Sequence, residues 1–319
     1  MRKFISVSLL IVVLSVVGFG VLNRQWVRDF YVVQTTDVQT LADNLRQNLR
    51  LTEQADFLYQ ASQPEVLQSS DFNKSCAGVQ REQSIVLGCY TRQRFFIYDV
   101  DDERLSGVKE VTAAHELLHA VYDRLPKDER DRIDGLVLEA AKTVTNERFQ
   151  ATLAQYRESE PDQIPNELHS ILATEVSDLP SDLELHYRRY FQDRSIIVGY
   201  ATQYEETFSS LEEQIDSYDS NLNNLKNSIS SYEELLRSKQ EELKNVQNEM
   251  QQLRDSGQVE EYNSLVPGYN QQIQNYNQIV ALLKQSIDEY NKLVEKRNSL
   301  ATTQNDLAKE LNSNYQPLR

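Results

Sequence analysis

From Phe208 onwards, apolar residues return alternately three and four positions apart, through Leu211, Ile215, Tyr218, Leu222, Leu225 and Ile229 to Leu253, with Lys239 the one charged residue on the seam. That alternation belongs to a helix that must lay one narrow stripe against another helix. After Asp255-Ser256-Gly257 the seam resumes at Tyr262 and continues through Tyr269, Ile273, Tyr276, Val280, Leu283, Ile287 and Tyr290 to Val294, weakening beyond Arg297. Two arms of similar length about a glycine-bearing turn predict an antiparallel coiled-coil hairpin, each arm of about 45 residues reaching roughly 70 Å at 1.5 Å per residue. Pro267-Gly268 interrupts the second arm without shifting its register, so a kink or a short break is expected there. A Tyr-Asn pair recurs at Tyr262, Tyr269, Tyr276 and Tyr290. The simplest account is seam tyrosines whose hydroxyls reach the rim; the sharper one is a surface for a partner protein or glycan. Homodimerisation through the same seam competes with the hairpin.

The rest of the chain is bounded by composition. With 319 residues, nine glycines and seven prolines, it is a helix-rich, mainly α (α+β) chain with room for one globular core beside the extended part. A formal charge of -16 argues against nucleic acid as a partner, because phosphate backbones are bound by basic patches. Residues 4–22 carry no charge, which is about the length that crosses a bilayer as a helix. Trp26, Phe30 and Tyr31 beyond them suit the membrane interface, while Arg2 and Lys3 against Arg24 and Arg28 mark orientation only weakly. Gly18-Phe19-Gly20 is a poor cleavage site, so an uncleaved transmembrane anchor over residues 1–23 is expected. Cys76 and Cys89 flank a polar loop, a spacing that suits a disulfide in an oxidising compartment, two unrelated thiols being the alternative. Together with the anchor they predict a single-pass membrane protein with a cytoplasmic amino terminus and its later domains in the extracytoplasmic cell envelope.

Chemistry concentrates in His115-Glu116-Leu117-Leu118-His119, inside a predicted helix over residues 108–124. Residues four apart stand one above the other on a helix, so His115 and His119 can turn ring nitrogens to one zinc ion. Glu116, about 100° round the helix, can reach the open side of that ion as a general base, provided a third ligand comes from elsewhere. Val111, Ala114, Leu118 and Val121 form a neighbouring apolar stripe that would hold the clamp against a core. The bland alternative is a surface helix that happens to carry two histidines.

These residues resemble the zincin metallopeptidases, whose active helix carries HExxH. Tyr122 and Leu125 stand where the metzincin branch has its glycine and third histidine, which excludes that branch. Gluzincins take the third ligand from a later Asn-Glu-x-x-Ala/Ser helix, similar to Asn166-Glu167-Leu168-His169-Ser170 here. The resemblance therefore implies zinc as cofactor, Glu167 as third ligand and a protein or peptide as substrate. Ile171 replaces the acidic residue usual four positions after that ligand.

The helix face argues for a different carboxylate. Ile164, Leu168, Ile171, Leu172, Val176 and Leu179 draw a stripe with Glu175 near its middle and Glu167 at its edge. A carboxylate there needs a cation or a hydrogen-bonding partner, so Glu175 is the alternative ligand or an acceptor that orients a ligating histidine. His169 reads as an ordinary surface or interface histidine. Zincins often supply a histidine or tyrosine to the oxyanion, and the candidates are His186, Tyr187 and Tyr190, each with a packing role as its alternative.

Further helices are expected over residues 38–60, 127–142, 147–156, 166–178 and 182–193, with strand-like runs over 84–90 and 94–100 forming a short hairpin or sheet. In zincins a strand beside the active helix binds extended substrate by edge addition. The domain reading is an anchor over 1–23, a zincin-like domain over 24–200 and a coiled coil over 201–319. Two functions follow: a membrane-anchored zinc endopeptidase, or a non-catalytic envelope scaffold acting through its coiled coil, with a structural or degenerate zinc site.

Overall fold

The computed structural model describes Gly18, Gly20 and residues 22–77 and 87–314 of the chain. All of the expected transmembrane anchor over residues 1–23 except Gly18, Gly20, Leu22 and Asn23 lies outside those residues, as do residues 84–86 of the first expected strand. Among the described residues no helix is long and apolar enough to cross a membrane. The chain divides into two compact units, one holding the residues up to Thr207 together with those from Leu307 onward, the other spanning Phe208–Asp306.

The first unit is mainly helical: α1 (Arg24–Thr35), α2 (Thr40–Asn48), α3 (Glu53–Ala61), α4 (Ser69–Ser75), α5 (Val108–Arg124), α6 (Lys127–Ala141), α7 (Glu147–Ser159), α8 (Ile164–Glu175) and α9 (Ser181–Tyr187). A small sheet of β1 (Glu65–Leu67), β2 (Gly88–Thr91) and β3 (Arg94–Tyr98) has the order β1-β3-β2. β2 is antiparallel to β3 and β1 parallel to it, so β2 is an edge strand. Instead of one helix over residues 38–60 the structure has two, because Arg50 adopts a positive φ of 46° and Leu51 bridges to Phe191. The Thr52 hydroxyl then caps α3 by accepting from the Ala55 amide at 3.3 Å.

α5 runs through the middle of this unit, and its sequence explains why. Val111, Ala114, Leu118 and Val121 are all buried, and Ala113 and Leu117 widen the apolar face. That face packs in one core with Phe95 and Ile97 of β3, Ile133 and Val137 of α6, and Leu168, Ile171 and Leu172 of α8. Gly107 starts the helix at φ 96°, a left-handed conformation open to glycine, and an added Cβ would come 2.9 Å from the Tyr200 carbonyl oxygen. Cys76 and Cys89 form a disulfide that joins the end of α4 to β2.

Two long helices, α10 (Ser195–Asp255) and α11 (Val259–Glu310), supply the second unit and pack together as an antiparallel hairpin. Gly257 makes the turn at φ 76°, with the Gln258 amide donating to the Leu253 carbonyl at 3.0 Å. Across the arms, Arg297 donates to both carboxylate oxygens of Asp219 at 3.0 and 3.2 Å. α11 is a continuous helix through Pro267, so the short break allowed for by the sequence is not made. The seam on both sides of the proline keeps one register, and a single missing amide does not outweigh it.

The C-terminal end belongs with the first unit. Leu307 and Leu311 are buried, and the Ser313 carbonyl accepts from Ser69 Oγ at 2.6 Å and Asn73 Nδ2 at 2.8 Å.

Candidate metal centre

α5 presents His115 and His119 on adjacent turns, with ring centroids 4.7 Å apart and planes at 77°. α8 lies against that face, and Glu167 in its first turn reaches both rings. One carboxylate oxygen stands 3.6 Å from His115 Nε2 and the other 3.6 Å from His119 Nε2. Donor atoms about 2.1 Å from a shared tetrahedral ion are about 3.4 Å apart, close to the separation found here. His119 Nδ1 lies 3.0 Å from Asn166 Oδ1, and the amide oxygen can only accept. A neutral ring that donates from Nδ1 to that oxygen leaves its Nε2 lone pair on the side of Glu167. His115 and His119 thus each face one oxygen of the Glu167 carboxylate, and imidazole nitrogen and carboxylate oxygen are donor types that a divalent metal such as zinc takes.

Glu116 is buried, and its ligand-type atoms cluster with those of His115 and His119 within 4.8 Å. The adjacent edge strand leaves room for it. A Cβ on Gly88 would lie 2.7 Å from both Glu116 Cγ and Thr112 Cγ2, so only glycine lets β2 pass this close to α5. Burial works to raise the Glu167 carboxyl, but the His119 and His115 rings in their protonated form, with a hydrogen bond from Tyr156, outweigh it and hold the group at about 2.

These groups open onto a cavity of about 1080 Å³, walled on one side by β2 and on another by α7 and the Pro161–Gln163 turn. Glu175 also faces it, two turns along α8 from Glu167, where burial raises its carboxyl against the opposing effects of Arg148 and His115. Arg148 in turn donates to the Tyr204 hydroxyl at 3.2 Å and pairs with Glu205 at 2.9 Å. The structure thus brings Glu167 to both histidines and sets Glu175 beside a guanidinium, an arrangement that the apolar stripe of α8 cannot reveal because Arg148 comes from α7.

The three aromatic candidates for the oxyanion do not line the cavity. His186, Tyr187 and Tyr190 are buried in the core, with Tyr187 donating to the His169 carbonyl at 2.8 Å. His169, expected at the surface or at an interface between elements, is fully buried where α8 meets α9, its Nε2 paired with His186 Nε2 at 2.9 Å. What sequence reasoning missed at the site is Tyr156, Gly88 and the role of Asn166. Only Asn166 carried a signal, its place just before Glu167.

The chain matches no family model, no curated protein and no solved structure.

Proposed function

We propose that this chain is a zinc-dependent endopeptidase of gluzincin type, anchored by residues 4–22 with its globular parts in the extracytoplasmic envelope. The observation that supports it is the cluster of His115, Glu116 and His119, with one oxygen of Glu167 set 3.6 Å from each histidine Nε2. Zinc held there supplies a Lewis acid that makes water nucleophilic near neutral pH and polarises a carbonyl. The Glu116 carboxylate takes the proton of the attacking water and hands it to the departing amine nitrogen. Among the described residues no strand pairs with the outer edge of β2, whose backbone groups can take an extended peptide along the cavity. Tyr156, whose hydroxyl already reaches the metal-binding carboxylate, takes the oxyanion role in place of the three buried aromatics.

The scaffold reading needs the zinc to be structural. Structural sites are closed by four protein ligands, whereas this donor set opens onto a cavity large enough for a peptide. The test is zinc content together with cleavage of casein and a peptide library, on the full chain and on Glu116→Gln. One zinc per chain in both proteins, with cleavage confined to the unaltered one, is the expected result. Zinc without cleavage in the unaltered chain would move the function to the hairpin, and absence of zinc from protein purified without chelator would end the metal reading.

A further inference from the structure

The cavity that holds the candidate centre extends past it along α8. Glu175 stands two turns beyond Glu167, about 12 Å along the axis at 1.5 Å per residue, and lines the same space. Among the described residues its carboxylate makes no hydrogen bond and no ion pair. Arg148, the guanidinium beside it, is already engaged. It pairs with Glu205, donates to the Tyr204 hydroxyl, and lies over the Tyr204 ring at 5.5 Å from the centroid. Ionised, Glu175, Arg148 and Glu205 together sum to one negative charge. A carboxylate withdrawn from water without a partner is costly, and a cation set against it offsets that cost. Because Glu167 already faces both histidine nitrogens, Glu175 is left over from the metal centre.

We infer that this end of the cavity is a subsite for a basic side chain of the substrate, lysine or arginine, with Glu175 receiving its ammonium or guanidinium. The walls suit a long aliphatic stem below a charged head. Val108 and Val111, on the His115 face of α5, line the cavity, as does Tyr204. The field points the same way. Apart from Glu116 and Glu167, the carboxylates lining the cavity are Asp123, Glu160, Asp162 and Glu175, against the guanidiniums of Arg130 and Arg148, an acidic excess that draws cations inward. An acidic side chain finds no open partner beside Glu175, since Arg148 is paired with Glu205. Glu175 touches no reacting atom in this role. It selects the peptide bond that is presented to the centre. The subsite narrows the substrate class of the proposed function and rests on that reading.

The zinc-loaded full chain is given fluorescence-quenched peptides blocked at both ends, identical except for one scanned residue that is lysine, arginine, norleucine or glutamate. Cleavage is measured with the unaltered chain, Glu175→Gln and Glu175→Asp. Binding of the same peptides is read by fluorescence anisotropy on Glu116→Gln, which lacks the base, and on Glu116→Gln/Glu175→Gln. At one scanned position, lysine and arginine should exceed norleucine by about ten- to a hundredfold in kcat/KM and in affinity. The ratio should fall to near one in Glu175→Gln, with zinc content unchanged, and survive in Glu175→Asp, which keeps the charge. Cleavage without that preference, or a preference that outlasts Glu175→Gln, would overturn the inference and leave the endopeptidase. A preference confined to peptides with a free amino terminus would assign Glu175 to the substrate's α-amino group, which also overturns it. No cleavage, with the Glu175-dependent preference kept in binding, would end the peptidase reading and keep the cation subsite. Neither cleavage nor preferential binding would sink both.

Discussion

Gly88 is the residue whose chemistry is least visible and whose position matters most. Its missing side chain is the space that the Glu116 side chain occupies. On the proposed function, Gly88→Ala should bind zinc as the unaltered chain does, because neither histidine nor Glu167 is touched, yet lose about a hundredfold in kcat through displacement of Glu116 by about 1 Å. Metal analysis beside steady-state kinetics checks both halves, and equal loss of zinc and rate would show a general collapse instead. A second residue-scale expectation concerns His186. Burial, helped by Arg189 and opposed by Glu129, lowers its pKa from 6.5 to about 4. Between those values the unfolded chain binds a proton that the folded chain refuses. Stability contributed by the neutral ring is therefore complete above pH 6.5, falls as pH drops toward 4, and levels off below it. The loss amounts to at most about 3 kcal/mol. His169, also pushed down chiefly by burial, acts in the same direction. Urea midpoints measured across this window should decline with pH, and His186→Gln should flatten the decline.

Among the elements, the ones legible in sequence are those whose signal fits inside one helical repeat. His115, Glu116 and His119 lie within two turns of α5, and the seam of α10 and α11 repeats often enough to outvote Lys239 and Pro267. What escaped reading lies between elements. No pattern within α8 tells that Glu175 faces Arg148 of α7, or that His169 meets His186 seventeen positions on. Nor does any pattern around residues 38–60 announce the positive φ at Arg50 that divides α2 from α3. α11 offers its own test. Pro267 is exposed and interior to the helix, where proline costs up to about 3 kcal/mol relative to alanine. Pro267→Ala should therefore stabilise the hairpin by up to that amount, seen as a higher melting temperature by circular dichroism at the helix band. An unchanged melt would mean that the two sides of Pro267 unfold separately.

At the scale of the whole molecule, composition and periodicity together pointed to the helix-rich character and the long hairpin, while the path of the chain beyond Asp306 left no trace in sequence. The hairpin leaves the first unit in α10, and after Asp306 the chain belongs to that unit again, where Ser313 joins Asn73 across 240 positions. That single docking has a consequence in time. A ribosome adding roughly 5–20 residues per second completes those intervening positions over an interval on the order of tens of seconds. Ser69 and Asn73 must wait for their partner throughout, so the nascent chain carries an unfinished first unit until the residues around Ser313 emerge. Nascent chains stalled inside the hairpin would lack that seat altogether, and the cell would meet the completed first unit only after the arm beyond it had been made.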